Sequence, residues 1–185
     1  MFEKIGYILG YIKLLIYKIY YGKRLTFSKK MRVMPSIKIY IEKNAQITLG
    51  HNFSCRSGVV LRASEGAMIN VGERVFVNYN SIIVAKNKIT IGDGTVIASG
   101  VNIYDHNHVY GKNIAIRESG YFGRDIFIGK NVWCGANSII LAGSQLGDNV
   151  VVAAGTIINK TIDNDNLVYN KRELGIRSFD IKEVV

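Results

Sequence analysis

Residues 128–158 read IGKNVWCGANSIILAGSQLGDNVVVAAGTII, and this stretch decides the fold. Steps of six from Ile128 land on Cys134, Ile140, Leu146, Val152 and Ile158, apolar positions in unbroken succession. Neither the 3.6-residue period of an amphipathic helix nor the two-residue alternation of a half-buried strand produces that stride. It belongs to a solenoid, in which each repeat buries its apolar side chains only by stacking on the next. Toward the N terminus the same stride gives Ile91, Ile97 and Ile103, then Val71, Val77 and Ile83, then Leu49, Cys55 and Leu61. Three hexads make one coil of three short strands, so the five triplets predict an all-β, parallel β-helix of about five coils over residues 45–162. The pairs Leu49-Gly50, Val71-Gly72, Ile91-Gly92, Ile128-Gly129 and Leu146-Gly147 mark the same point of successive coils. Between triplets the stride is exceeded by four residues before Val71, two before Ile91 and nineteen before Ile128, so insertions leave the helix at its corners.

The rest of the composition fits one domain with a sizeable core: 185 residues, 48% apolar, 19 Gly against 1 Pro. The net charge of +10 is concentrated. Residues 1–44 hold ten Lys and Arg against Glu3 and Glu42, a net of +8 that leaves +2 for the remainder. A near-neutral body argues against a nucleic-acid-binding stripe, and no nucleic-acid partner is expected. Two cysteines, Cys55 and Cys134, do not make the stapled framework of a small secreted domain and fit a reducing cytosol.

Residues 1–44 are read as a basic amphipathic N-terminal segment. Its first twenty residues are rich in Ile, Leu and Tyr, but Lys13 would lie mid-span at about 2.5–3.5 kcal/mol on the insertion scale, and Lys4 and Lys18 interrupt the run further. The segment is therefore expected to lie on a surface, either an anionic membrane interface or the protein's own body, where a helix would cap the open end of the solenoid. The first alternative makes the protein cytoplasmic with a peripheral membrane contact.

A scaffold is not a function, and the chemistry must come from its loops. Two of the three histidines, His106 and His108, fall on the insertion after Ile103, within an active-site loop expected at 104–127. Imidazole is the side chain that accepts a proton at neutral pH, as activation of a hydroxyl requires. Both thiols fall on inward strides and are poor nucleophile candidates.

The branched aliphatic followed by Gly, with Ala98, Ala136 and Ala154 at turn positions, resembles the hexapeptide-repeat acyltransferases, whose coils are left-handed although parallel crossovers in general are right-handed. The segment from Ile91 to Ile140 resembles in particular the galactoside and maltose acetyltransferases and the capsular polysaccharide O-acetyltransferases. Their catalytic histidine lies on the long loop at this point, and an ungapped count matches it to His108, or to His106 if the loop shifts by two. Val75-Phe76-Val77-Asn78-Tyr79-Asn80 resembles the segment whose asparagine orients the acceptor hydroxyl, matching Asn78. Gly129-Lys130-Asn131-Val132-Trp133-Cys134-Gly135-Ala136 resembles the IG-x-NVWIG run, whose tryptophan, here Trp133, lies beside the site.

The resemblance implies acetyl-CoA as co-substrate, held against backbone groups at Ala136 and Ala154 with Lys160 near the 3'-phosphate, in a groove between subunits of a homotrimer. It implies acetyl transfer to a hydroxyl of a sugar or polysaccharide acceptor. It stops after Ile162, where those enzymes continue into a proline-containing stretch near the adenine, and 163–185 form a C-terminal extension. No metal site is expected. The competing readings are N-acetylation of an amino sugar, a zinc carbonic anhydrase needing three converging histidines, and a β-helix without enzymatic activity. Asn78 and Asn80 also suit the corners of a β-helix.

Overall fold

The computed structural model describes residues 2–112, 115–171 and 173. The chain enters through α1 (Phe2–Tyr21) and a 3-10 turn (Gly22–Arg24), then winds through coils of three short strands. The first coil is β1 (Leu25–Phe27), β2 (Arg32–Val33) and β3 (Lys38–Ile41); the second is β4 (Gln46–Leu49), β5 (Ser54–Cys55) and β6 (Val60–Ala63). The third is β7 (Met68–Val71), β8 (Phe76–Val77) and β9 (Ile82–Ala85), and the fourth is β10 (Lys88–Ile91), β11 (Val96–Ile97) and β12 (Asn102–Tyr104). A hairpin, β13 (His106–His108) and β14 (Tyr121–Gly123), interrupts the winding. The fifth coil is β15 (Ile126–Ile128), β16 (Trp133–Cys134) and β17 (Ile139–Leu141), and the sixth is β18 (Gln145–Leu146), β19 (Val151–Val152) and β20 (Ile157–Ile158). β21 (Thr161–Ile162) and β22 (Leu167–Val168) begin a seventh. Three parallel sheets result: the first runs β1-β4-β7-β10-β15-β18-β21, the second β2-β5-β8-β11-β16-β19-β22, the third β3-β6-β9-β12-β17-β20.

About six turns are therefore present, against about five read from the sequence. The additional coil lies at residues 25–41, inside the stretch assigned above to the basic segment. Phe27, Val33 and Ile39 keep the hexad stride there, and Phe27 pairs with Leu49 in register. Ser28, Met34 and Tyr40 follow them, so the apolar-Gly mark is missing, and the outward positions carry the lysines and arginines that dominate the composition. Of the C-terminal extension, residues 172 and 174–185 lie outside the described residues, as do 113 and 114 of the loop expected at 104–127.

The strides point inward as expected. All fifteen triplet positions are at most 4% exposed, and they stack coil on coil: Leu49 on Val71, Val71 on Ile91, Ile91 on Ile128, Ile128 on Leu146. Full burial of one such aliphatic side chain contributes roughly 1.5–3 kcal/mol. Most polar side chains that enter this column bring partners: Thr95 Oγ1 donates to Gly129 O at 2.9 Å, and Ser81 Oγ to Ala98 O at 2.9 Å, whereas the buried Ser138 Oγ has none among the described residues.

The glycines after the first-sheet strands are required by close approach. A Cβ on Gly92 would lie 2.6 Å from the Gly129 carbonyl carbon, and one on Gly129 2.6 Å from that of Gly147. The corners need left-handed backbone, and asparagine or aspartate supplies it where glycine does not: Asn131, Asn149 and Asp165, at φ 53, 58 and 60, stand one above another. Their side chains are linked by hydrogen bonds of 2.9 and 2.8 Å.

α1 lies across the open end of the first coil. A Cβ on Gly10 would fall 1.8 Å from Val33 O, so the helix rests directly on backbone, with Leu14 fully buried and Tyr11 edge-on to Phe27. Tyr21 Oη donates to Ile39 O at 3.0 Å, and Arg24 Nη1 donates to the carbonyls of Ile41 and Glu42. Among the described residues no helix is long and apolar enough to cross a membrane.

Candidate active site

The long insertion leaves the solenoid after β12 in the third sheet and returns at β15 in the first, yet Ile91 and Ile128 pair across it without a register shift. The chain can diverge this far because Asp105 fastens the base of the hairpin. Its carboxylate is fully buried, and Oδ1 and Oδ2 accept the backbone N–H groups of Lys86 and Asn87, each at 2.8 Å. Its carbonyl accepts the N–H of Arg124 on the returning limb at 2.8 Å. A buried carboxylate is tolerable only when its oxygens are partnered in this way.

The same Oδ1 lies 3.0 Å from His106 Nδ1. An acceptor at that distance fixes Nδ1 as the donor and leaves Nε2 with a lone pair, the tautomer a general base needs. The ring is mostly buried and held edge-on by Tyr104 and Tyr121, at centroid distances of 6.2 and 5.6 Å. His108, one pleat further along β13, is exposed and stands opposite Tyr121 on β14, ring to ring at 4.4 Å. Lys86 Nζ sits 3.3 Å from the centroid of the Tyr121 ring. Tyr121 thus touches both histidines and a lysine, a role no stride or spacing in the sequence announces.

The remaining residues singled out by sequence gather elsewhere. Asn78 follows β8 at the corner between the second and third sheets; its Oδ1 accepts the N–H of Tyr79 at 2.9 Å, which leaves Nδ2 as an available donor. Asn80, at φ 56, is a left-handed corner residue. Trp133 is 54% exposed on the outward face of the second sheet, in register between Val96 and Val151. Ala136 and Ala154 occupy the same corner one coil apart, and neither N–H donates to a carbonyl among the described residues. Lys160 is exposed where the sixth coil turns back toward the first sheet.

Asn78, Trp133, Ala136 and Ala154 therefore line the second sheet and its corner with the third, while both histidines leave from the corner between the third and first. One chain does not bring the two groups together.

Cys55 and Cys134 are buried in the column, and burial pushes both thiols up to about 12, far from nucleophilic. His51 is in the second coil and shares a 2.8 Å hydrogen bond between its Nδ1 and Ser28 Oγ, away from the hairpin. Among the described residues no three side chains of metal-ligand type converge.

The family model described as bacterial transferase hexapeptide (six repeats) matches residues 125–160. Over 137 residues the chain is 32% identical to WbbJ of Escherichia coli, named a lipopolysaccharide biosynthesis O-acetyl transferase, and the match covers 70% of each chain. Over 100 residues it is 36% identical to the galactoside O-acetyltransferase of Escherichia coli, covering 54% of this chain and 48% of that one; the chain spans about half of that relative's length. In fold it resembles AntD, an N-acyltransferase from Bacillus cereus solved with dTDP and 3-hydroxybutyryl-CoA, at a TM-score of 0.66, 19% identity, and coverage of 84% of this chain and 81% of that one.

Proposed function

This chain belongs to the hexapeptide-repeat acyltransferases, and from that premise we propose that it transfers an acetyl group to a sugar hydroxyl of a cell-surface polysaccharide or its precursor. Acetyl-CoA supplies the activated thioester. The observation that carries the reading is the buried Asp105 carboxylate on His106 Nδ1, which favours the tautomer with Nε2 as the proton acceptor. His106 takes the acceptor hydroxyl proton at Nε2 as the oxygen attacks the thioester carbon, and returns it to the departing sulfur. General-base catalysis of this kind contributes typically 10²- to 10⁴-fold. His108, exposed and lacking a carboxylate partner of this kind among the described residues, is assigned to acceptor contact in this reading, with Tyr121 between the two rings.

Asn78 Nδ2 and the flat ring of Trp133 suit a sugar acceptor or the acyl carrier. The corner amides of Ala136 and Ala154 suit the amide carbonyls of a pantetheine arm, and Lys160 suits a phosphate. Because these groups and the histidines lie at different corners of one chain, the complete site joins corners of neighbouring copies in a homotrimer, where flat solenoid faces pack around a closed axis. The cytosol, where thiols stay reduced, suits an enzyme with two free cysteines.

The test is incubation with acetyl-CoA and a panel of sugar acceptors, followed by mass detection and mild alkali. A one-acetyl gain that alkali removes is the expected result. An alkali-stable gain assigns amine acetylation instead, and no His106-dependent product from any acceptor removes the mechanism.

A further inference from the structure

α1 is apolar on both sides. Its inner face rests on the first coil, as described. Its outer face is an unbroken stripe at helical spacing, Ile5, Ile8, Leu9, Ile12, Leu15, Ile16 and Ile19, with exposures that reach 61% at Ile8 and 85% at Ile19. Two lysines that would interrupt the stripe turn away from it. Lys13 Nζ donates to Pro35 O at 2.8 Å, and Lys18 Nζ to the carbonyls of Gly22 and Leu25 at 3.0 and 2.6 Å. Beside the stripe, between α1 and the turn leading into β2, runs a groove of about 640 Å³ whose walls include Tyr7, Ile8 and Ile12 on one side and Lys29, Lys30 and Arg32 on the other. Those three cations are exposed. The two carboxylates of residues 1–44 do not balance them: Glu3 is paired with Arg56 and Tyr7, and Glu42 with Arg62 at 2.6 Å.

We propose that this end of the molecule docks on an anionic phospholipid bilayer, with the isoleucine stripe in the headgroup–acyl boundary and lipid phosphates in the groove against Lys29, Lys30 and Arg32. Apolar exposure and uncompensated positive charge side by side are the two signals that reversible attachment to a membrane surface requires. A second copy of this chain fits the same face less well, since apposing two such ends brings like charges together with no free acid between them. The inference is independent of the reaction assigned above.

The experiment is sedimentation of the full chain with vesicles of phosphatidylcholine alone and of phosphatidylcholine with roughly one third phosphatidylglycerol, in salt of about 0.1 M and about 0.5 M. Binding to the anionic vesicles only, weakened by salt, is expected. The double substitution Lys29→Glu and Lys30→Glu weakens it by on the order of 30-fold or more, at about a kilocalorie of attraction lost per cation. Ile8→Glu with Ile16→Glu, on the exposed face, abolishes it while the circular dichroism and the acetyl transfer to a soluble acceptor stay as in the parent. Equal binding to both vesicle types, or none, overturns the proposal. So does a fall in particle mass by light scattering on Ile8→Glu and Ile16→Glu, which assigns the stripe to a second copy.

Discussion

The solenoid coils and the histidine hairpin use the chain in opposite ways. In the coils the inward positions repeat at a stride of six, each such side chain stacks on those of the neighbouring coils, and a change at one level is felt at its neighbours. In the hairpin nothing repeats; two strands of three residues pair antiparallel, and the base of the segment is fastened to the scaffold by the buried carboxylate of Asp105. A rigid column tolerates a long excursion at a corner because the register closes behind it, Ile91 on Ile128. Chemistry can be placed there without a cost to the fold, and the fold can be damaged without touching the chemistry.

Substitutions separate the two regions, and the largest effect is expected in the hairpin. His106→Ala lowers kcat by about 10² to 10⁴ with the thermal midpoint unchanged, whereas His108→Ala costs about tenfold or less. The reverse ranking moves the base to His108, and two near-normal variants take catalysis away from the hairpin altogether. In the column, Ile97→Ala empties a fully buried position and costs about 2–5 kcal/mol. Calorimetry should show a midpoint lower by roughly 5–15 °C, with kcat at low temperature as in the parent; a loss of kcat there would mean that core and hairpin are coupled.

Asp105→Asn tests the joint between the regions. It keeps the shape but not two acceptor oxygens, and a fall in kcat of about tenfold or more at little-changed KM is expected of a positioning residue. Asp105→Glu restoring nothing, together with a lower thermal midpoint for Asp105→Asn, would make the residue a staple only.

The smallest effect belongs to the column again. Because burial pushes Cys55 and Cys134 up to about 12, while an unfolded thiol titrates near about 8.5, the stability present below the lower value is lost as pH rises through the higher one. At pH 9 the loss is below about 1 kcal/mol per thiol. Urea midpoints measured from neutral to alkaline pH should fall less steeply in Cys55→Ala/Cys134→Ala, and an unchanged slope would show that the thiols do not titrate on unfolding.

The column was legible because its signal is local and repeated: five triplets at a stride of six need no knowledge of what lies opposite. The first coil is masked in the sequence because Phe27, Val33 and Ile39 lack the following glycine and sit among lysines, so charge outweighs stride there. The hairpin was legible only as an interruption containing two histidines. What orders His106 is Asp105, and what holds Asp105 is a pair of backbone amides at Lys86 and Asn87, a corner of the preceding coil that contributes no side chain to the contact. Side-chain patterns cannot announce a backbone donor. Nor could the sequence choose between the two surfaces for α1, because the segment is apolar on both sides; the structure seats one side on the first coil and leaves the other exposed.

That seating has a consequence for how copies of this chain can meet. β1, β2 and β3 are the outermost strands of their sheets, and a parallel stack with free outermost strands can accept another stack end to end, the geometry from which fibres grow. With α1 laid over β1 and β2, backbone against backbone at Gly10, the first step of such polymerisation is blocked on that side. The segment at the start of the chain is thus also what keeps a molecule built like a short length of filament from becoming a long one.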